Sequence, residues 1–131
     1  MIVIDASALI EVLLDVTPEA GKIARLLSRQ GNGIHVPHLL DLEVTQVLRR
    51  RVLARLIPEW RCAEALEDLS RLGALRHPHS FLLPRVWELR HNISAYDAIY
   101  IALAEYLGAP LLTRDRRLAN APGHSAQIDL V

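Results

Sequence analysis

Lysine is almost missing from this chain: of fifteen basic residues only Lys22 is a lysine, and the others are arginines. Chemistry that needs a lysine amine beside a transferred phosphate therefore has one candidate, and it lies far from the acidic segments described below. Cysteine is as scarce. The single Cys62 excludes an internal disulfide and leaves a zinc site without partners, so a reducing cytoplasm is the expected setting. No uncharged apolar run approaches the roughly 18 residues that span a bilayer. Asp5, Glu11 and Asp15 interrupt the N-terminal segment, which no basic stretch precedes, so it does not read as a signal peptide. Repeats, low-complexity tracts and linkers are absent, and 131 residues fit one domain, 1–131, with its own core. Fifteen acidic residues balance the fifteen basic ones, so net charge gives no support to nucleic-acid binding. Arg49-Arg50-Arg51, with Arg55 and Arg61, is the one concentrated basic patch. It reads as a solvated helix face or as an RNA track.

What is present is apolar and regularly segmented. Residues 2–5 read as a short buried strand, followed by a helix over Ser7–Leu14. Thr17-Pro18 is an N-cap with proline at the first helical position, opening a helix to about Arg29. Gly31-Asn32-Gly33 marks a turn before a strand at 34–36 that Pro37 stops. A long helix is expected from His38 to Leu56 and another from Pro58 to Gly73. Residues 74–76 form a candidate strand, and Leu83–Arg90 a short helix. Ser94 to Asp97 matches a capping box, so a helix starts there and stops at Gly108. Leu111–Thr113 is a strand, Arg116–Ala121 a brief helix and Gln127–Leu130 a last strand. Short, uniformly apolar strands alternating with helices predict an α/β fold with a parallel sheet covered on both faces. Ligands bind such sheets beyond the carboxyl ends of the strands.

Four carboxylates fall where apolar segments end or turn. Asp5 closes the opening strand, and Asp115 follows Leu111-Leu-Thr-Arg. Asp97 stands at the mouth of Ala98-Ile-Tyr-Ile-Ala-Leu-Ala. Glu43 lies on the shoulder of the stripe formed by Leu40, Val44, Val47 and Leu48. Each has a bland alternative. Asp5 suits an N-cap, Glu43 a pair with Arg50 or Gln46, Asp97 the N3 position of the capping box, and Asp115 an Asx-turn. Asp41 lies about 200° round the helix from Glu43 and reads as a surface residue. Ser7 and Thr113 could orient a nearby carboxylate, helix capping and strand packing being their alternatives. Acids at such positions are costly to desolvate unless paired, hydrogen-bonded or bound to a cation. An oxygen-only set favours Mg²⁺ or Mn²⁺. Together they point to a metal-dependent hydrolase. His77-Pro78-His79 reads as a solvent-exposed loop rather than a metal pair. Tyr96, Tyr100, Tyr106, Trp60 and Trp87 read as core or interface residues.

These segments resemble PIN-domain ribonucleases. Ile2-Val-Ile-Asp5-Ala-Ser7-Ala-Leu is similar to the family's opening. The Glu43 helix after Pro37, Ser94-Ala-Tyr-Asp97-Ala-Ile-Tyr-Ile-Ala-Leu-Ala and Leu112-Thr113-Arg-Asp115-Arg-Arg-Leu118 match later motifs in order. The resemblance covers nearly the whole chain, and its length is like that of VapC toxins of toxin–antitoxin pairs. It implies a three-layer PIN-like fold, with Asp5, Glu43, Asp97 and Asp115 as the catalytic acids holding one or two Mg²⁺ or Mn²⁺ ions. Ser7 and Thr113 would support them, and Arg49, Arg50 and Arg114 are candidates for contact with RNA. It further implies cleavage of single-stranded or loop RNA, a homodimer, and a cognate antitoxin whose C-terminal segment lies in the active-site groove. Leu9, Leu13 and Leu42 are candidate apolar contacts for that segment.

Two other functions fit the acids less well. An aspartyl-phosphate phosphatase or receiver usually needs a lysine near the phosphate, and Asp5-Ala-Ser7 lacks the second aspartate of the phosphatase motif. A non-catalytic RNA-binding or scaffold module on the same fold would have little use for all four acids.

Overall fold

The computed structural model describes residues 1–131. Five short strands form one parallel sheet: β1 (Ile2–Ile4), β2 (Ile34–Pro37), β3 (Leu75–His77), β4 (Leu111–Thr113) and β5 (Ile128–Leu130). They lie side by side in the order β3-β2-β1-β4-β5. Ile2 is level with Ile34 on one side of β1, and Val3 and Ile4 are level with Leu111 and Leu112 on the other. The central strands are buried along their whole length, which is why they carry no alternating polar residues.

Seven helices cover the sheet: α1 (Ala6–Leu14), α2 (Pro18–Ser28), α3 (Leu39–Leu53), α4 (Glu59–Arg71), α5 (Leu83–Glu88), α6 (Ala95–Leu107) and α7 (Arg116–Ala119). A cluster of 33 buried residues joins the layers. Every residue of α6 from Ala98 to Ala104 is buried, as its unbroken apolar sequence requires. Gly108 ends α6 at φ 61, a left-handed position at which a side chain would be strained.

Several elements differ from the sequence expectation for local reasons. The expected first strand stops at Ile4, because Asp5 turns its side chain back to cap α1. The long helix ends at Leu53 rather than Leu56. Arg55 takes φ 57, and the Leu56 N–H closes on the Arg51 carbonyl at 2.9 Å, a terminal loop that sequence periodicity does not reveal. The third strand is shifted one residue, to Leu75–His77, by its pairing with β2. The expected helix at 83–90 begins as a 3-10 turn at Ser80–Leu82 and ends at Glu88. Thr17 opens α2 without a side-chain cap, because its hydroxyl donates to Glu11 instead.

The histidine reading also changes. His77 lies on β3, where its Nε2 is 2.8 Å from Nδ1 of the buried His35, and His79 Nε2 accepts the Leu39 N–H at 3.0 Å. Neither is a free loop residue. Asp41 is a partly exposed surface residue, as its position round the helix implies, and it also accepts two hydrogen bonds from the Arg76 guanidinium, at 2.6 and 2.9 Å, across to β3. Leu9 and Leu13 are core residues at 1% and 6% exposure, whereas Leu42 is 68% exposed and free to meet a partner.

The strand order fixes where function can sit. From β1 the chain runs outward through β2 and β3, then returns to the other side of β1 for β4. The carboxyl ends of β1 and β4 thus border the point where the winding reverses, the usual ligand crevice of an open parallel sheet.

Candidate active site

A cavity of about 390 Å³ opens at that crevice, and Asp5, Glu43, Asp97 and Asp115 all line it. They arrive from separate elements: Asp5 from the end of β1, Glu43 from α3, Asp97 from the first turn of α6 and Asp115 from the turn after β4. Ser7, Glu11, Arg51, Tyr100 and Arg114 complete its polar wall.

Asp5 is the most firmly held. Its Oδ1 accepts from Ser7 Oγ at 2.7 Å and from the Ala8 N–H at 3.0 Å, and its Oδ2 accepts from Thr113 Oγ1 at 2.5 Å. It is therefore an N-cap and a pocket acid at once, so the two readings of its position were not exclusive. Burial raises its pKa, the Thr113, Ser7 and Ala8 hydrogen bonds oppose that rise, and the nearby Asp115 charge adds to it. Thr113 is fully buried and also accepts the Asp115 N–H at 3.0 Å, tying β1 to the turn after β4. Ser7 accepts the Arg114 N–H at 2.9 Å, closing the same seam. These two hydroxyls fix both the Asp5 carboxylate and the backbone that carries Asp115.

Asp115 caps α7 by accepting from the Arg117 and Leu118 N–H groups at 2.8 and 3.4 Å. At α6 only half of the capping box forms. Ser94 Oγ accepts the Asp97 N–H at 3.2 Å, while the Asp97 carboxylate faces the cavity instead of returning to the Ser94 backbone. Burial pushes the Asp97 pKa up, the Ser94 hydroxyl and the Arg117 charge oppose the rise, and the Asp115 charge adds to it. Glu43 makes no pair with Arg50 or Gln46. Its Oε1 accepts from the Tyr100 hydroxyl at 3.2 Å. Burial, opposed by that hydrogen bond and reinforced by Asp97 and Asp5, drives the Glu43 pKa from 4.5 to about 7. Burial and the same three carboxylates hold the Tyr100 phenol protonated.

Tyr100 was not among the sequence candidates. The signal was available: it lies three residues beyond Asp97, one turn along the same helix face. The arginine expectations are also sorted by position. Arg114 lines the cavity, paired with Glu11 at 2.8 Å, whereas Arg49 and Arg50 are exposed and lie outside it. Lys22 is on α2, away from the cavity, which leaves the aspartyl-phosphate reading without its cation. The acids share a wall, but no three of them converge closely enough to enclose an ion without some rearrangement.

A family model described as PIN domain matches residues 2–123. The chain is 45% identical to ribonuclease VapC1 of Mycobacterium tuberculosis over 130 residues, covering 98% of this chain and 96% of that protein. It is 39% identical to ribonuclease VapC12 of the same organism over 131 residues, covering 100% and 99%. Among solved structures it resembles PAE2754 from Pyrobaculum aerophilum, with a TM-score of 0.69 at 25% identity, covering 99% of this chain and 83% of that one. It shares its fold with VapC20 of M. tuberculosis, a sarcin-ricin-loop-cleaving toxin, at a TM-score of 0.70 and 17% identity, covering 91% and 93%. With the family model spanning nearly the whole chain and full-length relatives at this identity, the protein belongs to the PIN-domain family, among the VapC proteins.

Proposed function

We propose that this chain is a metal-dependent endoribonuclease and the toxin of a toxin–antitoxin pair. The observation that carries the reading is the gathering of four acids, from positions 5 to 115, around one cavity at the winding reversal of the sheet. The full-length likeness to proteins named ribonuclease VapC supplies the substrate class.

The donor set fits Mg²⁺ or Mn²⁺. All four groups are carboxylates, and burial and mutual repulsion raise the pKa of Asp5, Glu43 and Asp97, so the pocket is short of positive charge. When bound by Asp5, Glu43, Asp97 and Asp115, one or two such ions would acidify water and offset charge growing on the scissile phosphate. Asp5 is held against rotation by Ser7, Thr113 and the Ala8 N–H, which suits a fixed ligand. Tyr100 holds one oxygen of Glu43, whose other oxygen would be available as a ligand or to orient the attacking water. No histidine or lysine lines the cavity, so proton transfer falls to these carboxylates and to solvent. Water adds its oxygen to phosphorus, the 3′ oxygen leaves and takes up a proton, and the products are a 5′-phosphate and a 3′-hydroxyl.

Partners follow the same reading. An antitoxin segment with a basic side chain would occupy the acidic cavity. Its apolar residues would rest on the helices beside that cavity, where Leu42 of α3 is exposed. A second copy of the chain would pair through the α5–α6 face, where Phe81, Leu83, Trp87, Tyr96 and Tyr106 are exposed. No helix is long and apolar enough to cross a membrane. The expected site of action is the cytoplasm, where RNA substrates are met.

The test is cleavage of single-stranded RNA with Mn²⁺ and with chelator, using wild type and Asp5→Asn. Asparagine keeps the cap on α1, so the variant should keep its circular dichroism while losing cleavage by about 100-fold or more. Cleavage that survives chelator, or an Asp5→Asn variant as active as wild type, would overturn the reading.

A further inference from the structure

Five arginines are half-buried, and four of them are paired. Arg61 meets Glu64, Arg76 meets Asp41, Arg85 meets Glu88 and Glu105, and Arg114 meets Glu11. Arg51 has no carboxylate partner and no side-chain hydrogen bond, although it lines the same cavity as the four site acids. The helix geometry explains why. Glu43, Val47 and Arg51 recur at i, i+4 and i+8 on one face of α3, so Arg51 lies about 12 Å along the axis from Glu43. Along α3 the cavity thus runs from an acidic position at Glu43 to a basic one at Arg51, with Val47 between them and Ile10 of α1 also on its wall. The other arginine on its wall, Arg114, is already committed to Glu11, which also takes the Thr17 hydroxyl.

A guanidinium partly removed from water and left unpaired is an unspent binding group, and its planar fork suits a phosphate. Charge in the last turn of α3 also complements the helix dipole. Arg50 supplies that charge without lining the cavity, so the dipole does not account for the direction Arg51 takes.

We infer that Arg51 binds a backbone phosphate of the RNA strand, next to the scissile one rather than at it, and so sets the register of the strand across the acids. The inference rests on the ribonuclease reading. Val47 would lie under the intervening sugar or base, where a third charge would have no counterpart. Arg51 is a substrate-positioning residue and takes no part in the bond-breaking step.

The experiment compares Arg51→Gln and Arg51→Lys with Arg25→Gln, which changes an exposed arginine of α2 outside the cavity. Cleavage kinetics are measured with Mn²⁺, and binding of a labelled single-stranded RNA is measured by anisotropy in the Asp5→Asn background. Arg51→Gln should raise KM and Kd about tenfold while kcat stays within about threefold. The slope of log affinity against log salt should fall by roughly 0.7, the share of one phosphate contact on a single strand. Arg51→Lys should recover part of the loss, and Arg25→Gln should match wild type. An unchanged Kd and salt slope in Arg51→Gln would overturn the inference whether or not the wild type cleaves. A wild type that fails to cleave with Mn²⁺ would instead remove the ribonuclease reading. A loss confined to inhibition by a partner protein, with RNA binding intact, would overturn the inference by assigning Arg51 to that contact. Thermal unfolding of each variant separates these outcomes from misfolding, and a folded Arg51→Lys keeps the test decisive if Arg51→Gln is unstable.

Discussion

Replacing Glu43 with glutamine should make the metal-free protein more stable at pH 8 while removing its activity. The Glu43 carboxyl rises from 4.5 to about 7 on folding, chiefly because burial disfavours its charge. Between those two values the folded state holds a proton that the unfolded chain has released. Folding therefore weakens as pH rises through this window and is level above it. At about 1.4 kcal/mol for each tenfold, the ceiling on this cost is about 3 kcal/mol. The carboxyl is only half-buried, and solvent screening reduces the figure to roughly 1–2 kcal/mol. Glutamine keeps the acceptor for the Tyr100 hydroxyl and carries no charge. Urea unfolding at pH 5 and pH 8 measures the effect. With a slope of about 1–3 kcal/mol per molar urea, the wild-type midpoint should fall by roughly 0.5–1 M more than that of Glu43→Gln. Adding Mn²⁺ should restore the wild type at pH 8 and do much less at pH 5, because a cation binds only the ionised set. A variant with the same pH dependence as wild type, or one less stable than wild type at pH 8, would refute the argument that crowded carboxylates shape this pocket.

Two further outcomes test the supports of the site and of the fold. Thr113→Val fills the same buried space but leaves Asp5 without one donor and the Asp115 N–H without its acceptor. It should lose about 1–3 kcal/mol in urea unfolding and most RNA cleavage, with Thr113→Ser restoring both; a valine variant as stable as wild type would remove Thr113 from the support of Asp5. At the other end of α6, the Arg85 guanidinium, together with the Ser125 N–H and against the effect of burial, holds Glu105 down at about 2. That contribution is complete above about 4.5 and is lost as pH falls toward 2, so Arg85→Ala should flatten the acid limb of the urea midpoint between those values. An unaltered acid limb would show that this pair is not what acid breaks.

The sequence by itself determined the layers of the fold and marked out the four candidate acids. Uniformly apolar three- and four-residue segments can be satisfied only as strands buried on both faces. An apolar run such as Ala98–Ala104 can only be a central helix. The placement of Asp5, Asp97 and Asp115 at segment ends followed from the same punctuation, because each also caps or opens a helix there.

Tertiary structure decided how those residues meet. Strand order is not written in local periodicity, and it alone brings Thr113 against Asp5 across 108 positions of chain. Tyr100 reads as core from its neighbours, and only the seating of α6 on the sheet, with α3 beside β2, brings its hydroxyl to Glu43. The same holds for the basic cluster on α3. Three consecutive arginines are indistinguishable in sequence, yet successive helical positions point about 100° apart, and only Arg51 is turned into the cavity. Local chemistry is set by neighbours along the chain, whereas a site assembled from distant elements is set by which faces they bury against one another.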